Sequence, residues 1–235
     1  MTNPNQHSLK TQIYHIIKKR LLDQIYQDGQ ILTERKLSEE LNVSRTPVRE
    51  AMQRLQKEGW VQYVRNKGII VKSMDASDLI HIFQIRTALE ILAVKLACSR
   101  INSDQLQLLR LSLIQQAGKK EGTMPDYQKF ILYDTEFHNI IIDAAGNMML
   151  RSIIDEIRDK IKRTGINSLY SRKSRIAEAV TEHTAIVDAL EIKDVDRACK
   201  AMEKHLDICY TSAYGYIVRP EIQKQHSAEK GDIHG

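Results

Sequence analysis

The sequence predicts a mainly α chain: an N-terminal winged helix-turn-helix followed by an antiparallel all-helical bundle of about six helices. Three observations lead there. Gly and Pro are scarce, ten and four in 235 residues, and aromatic residues make up only 6%, which favours helices over sandwiches and barrels. β-rich runs are confined to one place, "WVQYV" and "GIIVK", separated by "RNK". The positive charge is also segregated. Residues 1–73 carry 13 Lys/Arg against 7 Asp/Glu, whereas residues 74–235 carry 22 against 23. A small basic unit on a near-neutral body suggests a polyanion partner for the first part alone.

The elements follow in order. From Leu9 to about Gln27, apolar residues recur at Ile13, Ile16, Ile17, Leu21 and Ile25, a helical period that Asp28-Gly29 should end. Thr33 offers an N-cap for a short helix with Leu37 and Leu41 inward, closed near Asn42. Ser44 is placed to cap the next helix, with Pro47 in its first turn, where the missing N–H costs nothing. Val48, Met52 and Leu55 form the inward stripe and Gly59 closes the helix. The two β-rich runs then read as a hairpin wing.

Beyond Lys72, helices are expected over about 76–100, 103–120, 125–145, 148–168, 174–191 and 194–216, with Ser103, Pro125, Gly146, Gly165 and Asp194 as breaks or caps. "KKEGTMPD" (119–126) reads as a surface loop and residues 219–235 as a flexible tail. The expected domains are therefore 1–73 and 74–218. Cys98, Cys199 and Cys209 are odd in number and lack CxxC spacing, as expected of reduced core thiols in a cytoplasmic protein. Neither a signal peptide nor a membrane span is expected.

In a helix-turn-helix the second helix enters the major groove of duplex DNA with its N-terminal residues at the base edges. Arg45 and Arg49 project there from the face opposite Val48, Met52 and Leu55. An arginine fork suits bidentate bonding to guanine. Ser44 lies at the same helix start, Thr46 suits a phosphate, and Arg35 in the preceding helix could reach the same groove. Lys67 and Gly68 at the wing tip suit the flanking backbone or minor groove. The alternative is a solvated helix face, against which charge, turn spacing and wing all agree.

"LTERKLSEELNVSRTPVREAMQRLQKEGWV", and above all "VSRTPVREA" with "RLQKEG" behind it, resembles the DNA-binding signature of the GntR superfamily of bacterial transcription regulators. The helical second part resembles the FCD ligand-binding domain of the FadR subfamily. The resemblance implies a homodimer on a palindromic operator, usually a repressor, whose helical domains sense a metabolite. It carries the DNA-contacting roles to Arg35, Arg45, Thr46, Arg49 and Gly68.

Asp134 and His138, four apart, share one helix face, and His183 and His205 lie beside apolar stripes on later helices. Three imidazoles and a carboxylate suit a divalent transition metal, zinc or nickel before magnesium or calcium. From spacing alone, hydrogen-bonded core histidines are the more usual reading. A metal-binding branch of the FCD domains, however, carries Asp-x3-His and two later histidines, and all four positions are filled here. Arg86, in "FQIRTALEIL", either pairs with Glu90 one turn on or, as the resemblance implies, faces an effector cavity, with Asn147 a second candidate. Metal and guanidinium together would suit a small carboxylate, an organic or sugar acid. Without HExxH, a phosphate-cradling Gly loop or a Ser/His/Asp set, no enzyme is expected. A metal-dependent hydrolase and an architectural DNA-binding protein remain the alternatives.

Overall fold

The computed structural model describes residues 4–65, 67–118, 127–163 and 173–218. The expected loop 119–126, the break at Gly165 and the tail from 219 lie outside them. The chain divides into two compact units, Met1–Met74 and Asp75–Gly235.

The first unit runs α1 (Pro4–Leu22), β1 (Ile31–Leu32), α2 (Glu34–Glu40), α3 (Arg45–Lys57), β2 (Val61–Val64) and β3 (Gly68–Val71). The strands form an antiparallel sheet of order β1-β3-β2, so the wing has a third strand that sequence did not foretell. β1 is only two residues long, too short for any alternation to show. Its pairing explains Gly68: φ is +97°, and a Cβ there would lie 3.2 Å from the Leu32 carbonyl oxygen.

α1 stops at Leu22 rather than near Gln27. Gln24 takes a left-handed turn (φ 55°), and the N–H groups of Gln24 and Ile25 fold back onto the carbonyls of Leu21 and Arg20. This paired 5→2 and 6→1 closure satisfies carbonyls the helix end leaves open. It also buries Tyr26, whose hydroxyl accepts from Arg20 Nη1 at 2.8 Å. α2 and α3 close in the same way, at Asn42 (φ 51°) and Gly59 (φ 78°). Thr33 caps α2 as expected, its hydroxyl accepting from Lys36 N at 3.2 Å.

Ile17, Leu21, Leu37, Val48, Met52 and Leu55 make the core of this unit. Behind α3, the Glu58 carboxylate accepts from Tyr14 Oη (2.7 Å), Arg54 Nε (2.9 Å) and Trp60 Nε1 (3.2 Å). One side chain thus ties α1, α3 and the start of the wing together.

The second unit holds α4 (Ala76–Arg100), α5 (Ser103–Gln116), α6 (Tyr127–Ala145), α7 (Met148–Arg163), α8 (Lys173–Glu191) and α9 (Val195–Val218). α4 packs on α6, α7 and α9, and α8 lies between α5 and α9. Asp75 and Asn102 open α4 and α5 through reciprocal capping boxes with Asp78 and Gln105. The α5 cap is therefore Asn102, one residue before the Ser103 that sequence suggested. α5 ends at Gln116, short of 120, with Gly118 at φ 68°. The core runs through Val94, Leu109, Phe137, Ile141, Ile186 and Leu206.

Met52 is wholly buried, so Met52→Ala should lower the unfolding free energy by about 2–5 kcal/mol. The single tryptophan, Trp60, is buried in the same core, and its fluorescence in a urea titration reports the loss. An unshifted midpoint would mean the site collapses around the smaller side chain.

Candidate nucleic-acid interface and metal centre

In the first unit Arg35, Ser44, Arg45, Thr46, Arg49 and Lys67 are all exposed, and Gly68 is half-buried. The buried face of α3 is Val48, Ala51, Met52 and Leu55, which turns Arg45 and Arg49 outward. Ser44 stands at the N-cap with extended backbone (φ −67°, ψ 161°), yet its side chain makes no cap hydrogen bond, contrary to expectation. The reason lies three residues on. A capping oxygen accepts from the N2 or N3 N–H; N3 is Pro47, which has none, and Ser44 makes no bond to the N2 donor, Thr46 N, either. Arg45 and Thr46 keep N–H groups without intrahelical acceptors, at the end of the helix dipole that favours anions.

Arg49 is held before any ligand arrives. Its Nε lies 3.2 and 3.1 Å from the two oxygens of Glu34, and its Nη2 lies 3.0 Å from Oε2. This braces α3 on α2, and sequence reading missed Glu34 because the bond spans 15 residues. Arg35 pairs more loosely with Glu39, at 3.5 Å.

The second unit brings Asp134 and His138 of α6, His183 of α8 and His205 of α9 together: one ligand atom from each lies within 4.8 Å of all the others. The three histidines are buried. His183 Nε2 is 3.4 Å from His205 Nε2 and 3.6 Å from an Asp134 oxygen. Two nitrogens bonded to one zinc-like ion in a tetrahedral arrangement stand ~3.4 Å apart, so these separations match a shared ion.

The outward nitrogens are fixed by a surrounding layer. His183 Nδ1 bonds Gln116 Oε1 at 2.7 Å. Gln116 cannot flip, because its amide nitrogen already donates to Ser112 Oγ and the Tyr133 carbonyl. His205 Nδ1 bonds Glu182 Oε2 at 2.7 Å, and both oxygens of Glu182 are gripped by Arg175 at 2.8 and 3.1 Å. His138 Nδ1 lies 2.5 Å from Glu90 Oε2, ion-pair range but off the line of a hydrogen bond. Such partners set the tautomer that aims Nε2 at a metal. Phe137 stacks on the His183 ring at 4.2 Å. The one Asp134 oxygen and His138 Nε2 are buried with no hydrogen-bond partner. Orphaned atoms of this kind are costly, and a cation would satisfy both.

Burial, reinforced by His205 and His138, holds His183 well below the ordinary histidine value. Burial likewise lowers His138, so both rings are neutral and ready to bond. At His205 burial is outweighed by Cys209, the Glu182 hydrogen bond and Asp134, which raise it to about 10. Metal binding there must expel a proton.

Glu90 is buried between two guanidinium groups, Arg86 Nε at 2.8 Å and Arg158 Nη2 at 3.7 Å. Against its burial, His138, Arg86 and Arg158 hold it well below the usual carboxylate range. Arg86 therefore makes the Glu90 pairing that sequence offered as one of two readings. Arg158, which sequence reading passed over, bonds Asn139 through Nη1, while its Nη2 is buried without a hydrogen-bond partner. Asn147 caps α7, its Oδ1 accepting from Leu150 N at 3.1 Å.

A winged helix-turn-helix with exposed arginines, joined to a helical unit, defines a DNA-binding regulator. Residues 9–71 match the family of bacterial regulatory proteins called gntR, and residues 81–208 match the FCD domain. The chain belongs to the GntR family of bacterial transcriptional regulators, in the group that carries an FCD domain, and it is a regulator rather than an enzyme. It is 28% identical over 204 residues to the HTH-type transcriptional repressor RspR of Escherichia coli, spanning 87% of this chain and 88% of that one. It is 25% identical over 195 residues to the gluconate operon transcriptional repressor of Bacillus licheniformis, spanning 81% and 79%. The solved structure of E. coli McbR/YncC shares the fold with a TM-score of 0.69 at 23% identity, over 92% of this chain and 99% of that one. Among the described residues no helix is long and apolar enough to cross a membrane.

Glu90→Gln would leave Arg86 and Arg158 without their counter-charge, at an expected cost of about 3–5 kcal/mol in unfolding free energy near pH 7. Because folding depresses the Glu90 pKa, its contribution is present above the unfolded value of about 4.3 and fades as pH falls below it. Denaturation of both proteins in chelator at neutral and acid pH checks this. Equal stability at pH 7 would show that the arginines are neutralised elsewhere.

Proposed function

We propose that the chain is a repressor that reads a palindromic operator as a homodimer and senses a small carboxylate through a divalent transition metal in its helical unit. The observation that carries the metal is the convergence of Asp134, His138, His183 and His205, with three of their atoms buried and lacking a hydrogen-bond partner. Three imidazoles and one carboxylate favour zinc or nickel. When bound, the ion supplies a Lewis-acidic charge to which a carboxylate oxygen can bond.

Charge supports the effector class. Asp134 and Glu90 offset Arg86 and Arg158, and Glu182 offsets Arg175. A divalent ion among neutral histidines therefore leaves two positive charges to be met by an anion. Arg158 Nη2, buried, 3.7 Å from Glu90 and without a hydrogen-bond partner, is the group on this chain suited to clamp that anion, with Arg86 beside Glu90 as its neighbour. The gluconate operon named for one relative involves a sugar acid, a ligand of this chemistry.

On the DNA side Arg45 is the base reader at the start of α3. Arg49 reaches the groove by exchanging Glu34 for a base or phosphate. Ser44, Thr46 and the first N–H groups of α3 hold a phosphate, and Lys67 and Gly68 follow the flanking backbone, with Arg35 alongside. One helix covers only a few base pairs, so two copies on a two-fold site supply the rest of the specificity. The work is done where DNA is, in the cytoplasm. An effector coupling of about 1–3 kcal/mol shifts operator occupancy severalfold or more.

Selection from a random duplex pool should yield a palindrome, to which Arg45→Ala binds about 1–3 kcal/mol more weakly with relaxed base preference. Lys67→Ala should weaken binding evenly across sequences and flatten its salt dependence. A non-palindromic consensus, or full affinity in Arg45→Ala, would contradict this reading. For the effector, a carboxylate panel scored by thermal shift on metal-loaded protein should give a hit that Arg158→Met loses. Equal shifts in both proteins would remove Arg158 from the site.

A further inference from the structure

A carboxylate set among residues that face DNA opposes binding by its charge, and Glu34 is such a residue. It opens α2, and its side chain is 20% exposed while that of Arg49 is 59% exposed. Its two oxygens take up the Nε and Nη2 edge of the Arg49 guanidinium, at 3.2, 3.1 and 3.0 Å. Tyr63, exposed on the wing strand β2, brings its hydroxyl to 3.5 Å from Glu34 Oε1. The carboxylate therefore joins α2, α3 and the wing, beside the helix face that carries Arg45 and Arg49.

We infer that Glu34 determines specificity: it withholds Arg49 from the phosphate backbone and releases it to a G·C base pair. This rests on the DNA reading above and narrows the exchange at Arg49 to a base. A phosphate offers acceptors only. Arg49 moving to it would leave the Glu34 carboxylate with the Tyr63 hydroxyl as its neighbour and a second negative charge close by. The major-groove edge of a G·C pair instead matches both partners. Guanine N7 and O6 accept from a guanidinium, and the cytosine N4 amino group donates to a carboxylate. Most exposed ion pairs would be too weak to discriminate in this way. A bidentate arginine–carboxylate pair is the exception. Non-operator DNA is bound through its backbone, so it leaves the pair closed and gains nothing from Arg49.

The test compares the full chain as wild type, Glu34→Gln, Arg49→Ala and the double variant on a random-sequence duplex and on the palindrome recovered by selection. Glu34→Gln should bind the random duplex roughly threefold to tenfold more tightly, with a log–log salt slope steeper by about 0.9, the share of one phosphate contact. In the Arg49→Ala background the same substitution should change affinity by less than about twofold, the effect of one screened surface charge. On selection, Glu34→Gln and Arg49→Ala should each lose a G·C preference at the same position of the half-site. In wild type itself, the Arg49 Nε–H magnetic-resonance signal should stay in place with the random duplex and shift with the palindrome. An equal gain with and without Arg49 would reduce Glu34 to bulk charge and overturn the inference, as would unchanged affinity of Glu34→Gln for the random duplex. Failure of wild type to select a palindrome would instead contradict the two-fold operator reading, and the random-duplex comparison would still decide the role of Glu34.

Discussion

Everything in the helical unit is arranged around the burial of polar groups where the bundle would otherwise be apolar. Each of its six helices contributes: Arg86 and Glu90 from α4, Gln116 from α5, Asp134 and His138 from α6, Arg158 from α7, Glu182 and His183 from α8, His205 from α9. Burial of this kind is unfavourable unless charges are paired and polar atoms bonded. Two layers meet that demand differently. The outer one is closed, with Gln116, Glu182 and Arg175 in mutually oriented bonds. The inner one is incomplete, with an Asp134 oxygen and His138 Nε2 lacking hydrogen-bond partners. Rigid outside and unsatisfied inside is the pattern of a site that awaits a cation.

The winged unit shows how one residue can redirect a common device. Ser44 before a helix normally caps it, but Pro47 takes away one of the two N–H groups the hydroxyl could bond, and the other, Thr46 N, receives no bond from it. The first turn of α3 is thereby left for an anion, next to Arg45 and Thr46. Glu34 meanwhile holds Arg49 across the turn, so the arginine is ordered in advance and loses less freedom on binding.

How much was legible follows the range of the interactions. Local signals were read well: the Thr33 cap, the Asn42 and Gly59 closures and the α4 span each depend on a few neighbouring residues. Asp134 and His138 were visible as a pair because four residues make one helix turn. His183 and His205 had only apolar flanks to recommend them, and resemblance supplied the rest. What escaped depends on distance in the chain. β1 is defined by its partner β3, Gln116 by a histidine 67 residues away, and Arg158 by a carboxylate on another helix. The Asn147 cap bond to Leu150 was not read from the sequence either.

Elemental analysis of protein purified without a histidine tag and without added metal decides whether the four-residue cluster holds a metal. About one zinc or nickel ion per chain is expected, with near-complete loss in His183→Ala, which stays folded by far-ultraviolet circular dichroism. Metal-free wild-type protein whose melting does not respond to added zinc or nickel would contradict it, and the cluster would then be a network of buried, hydrogen-bonded histidines.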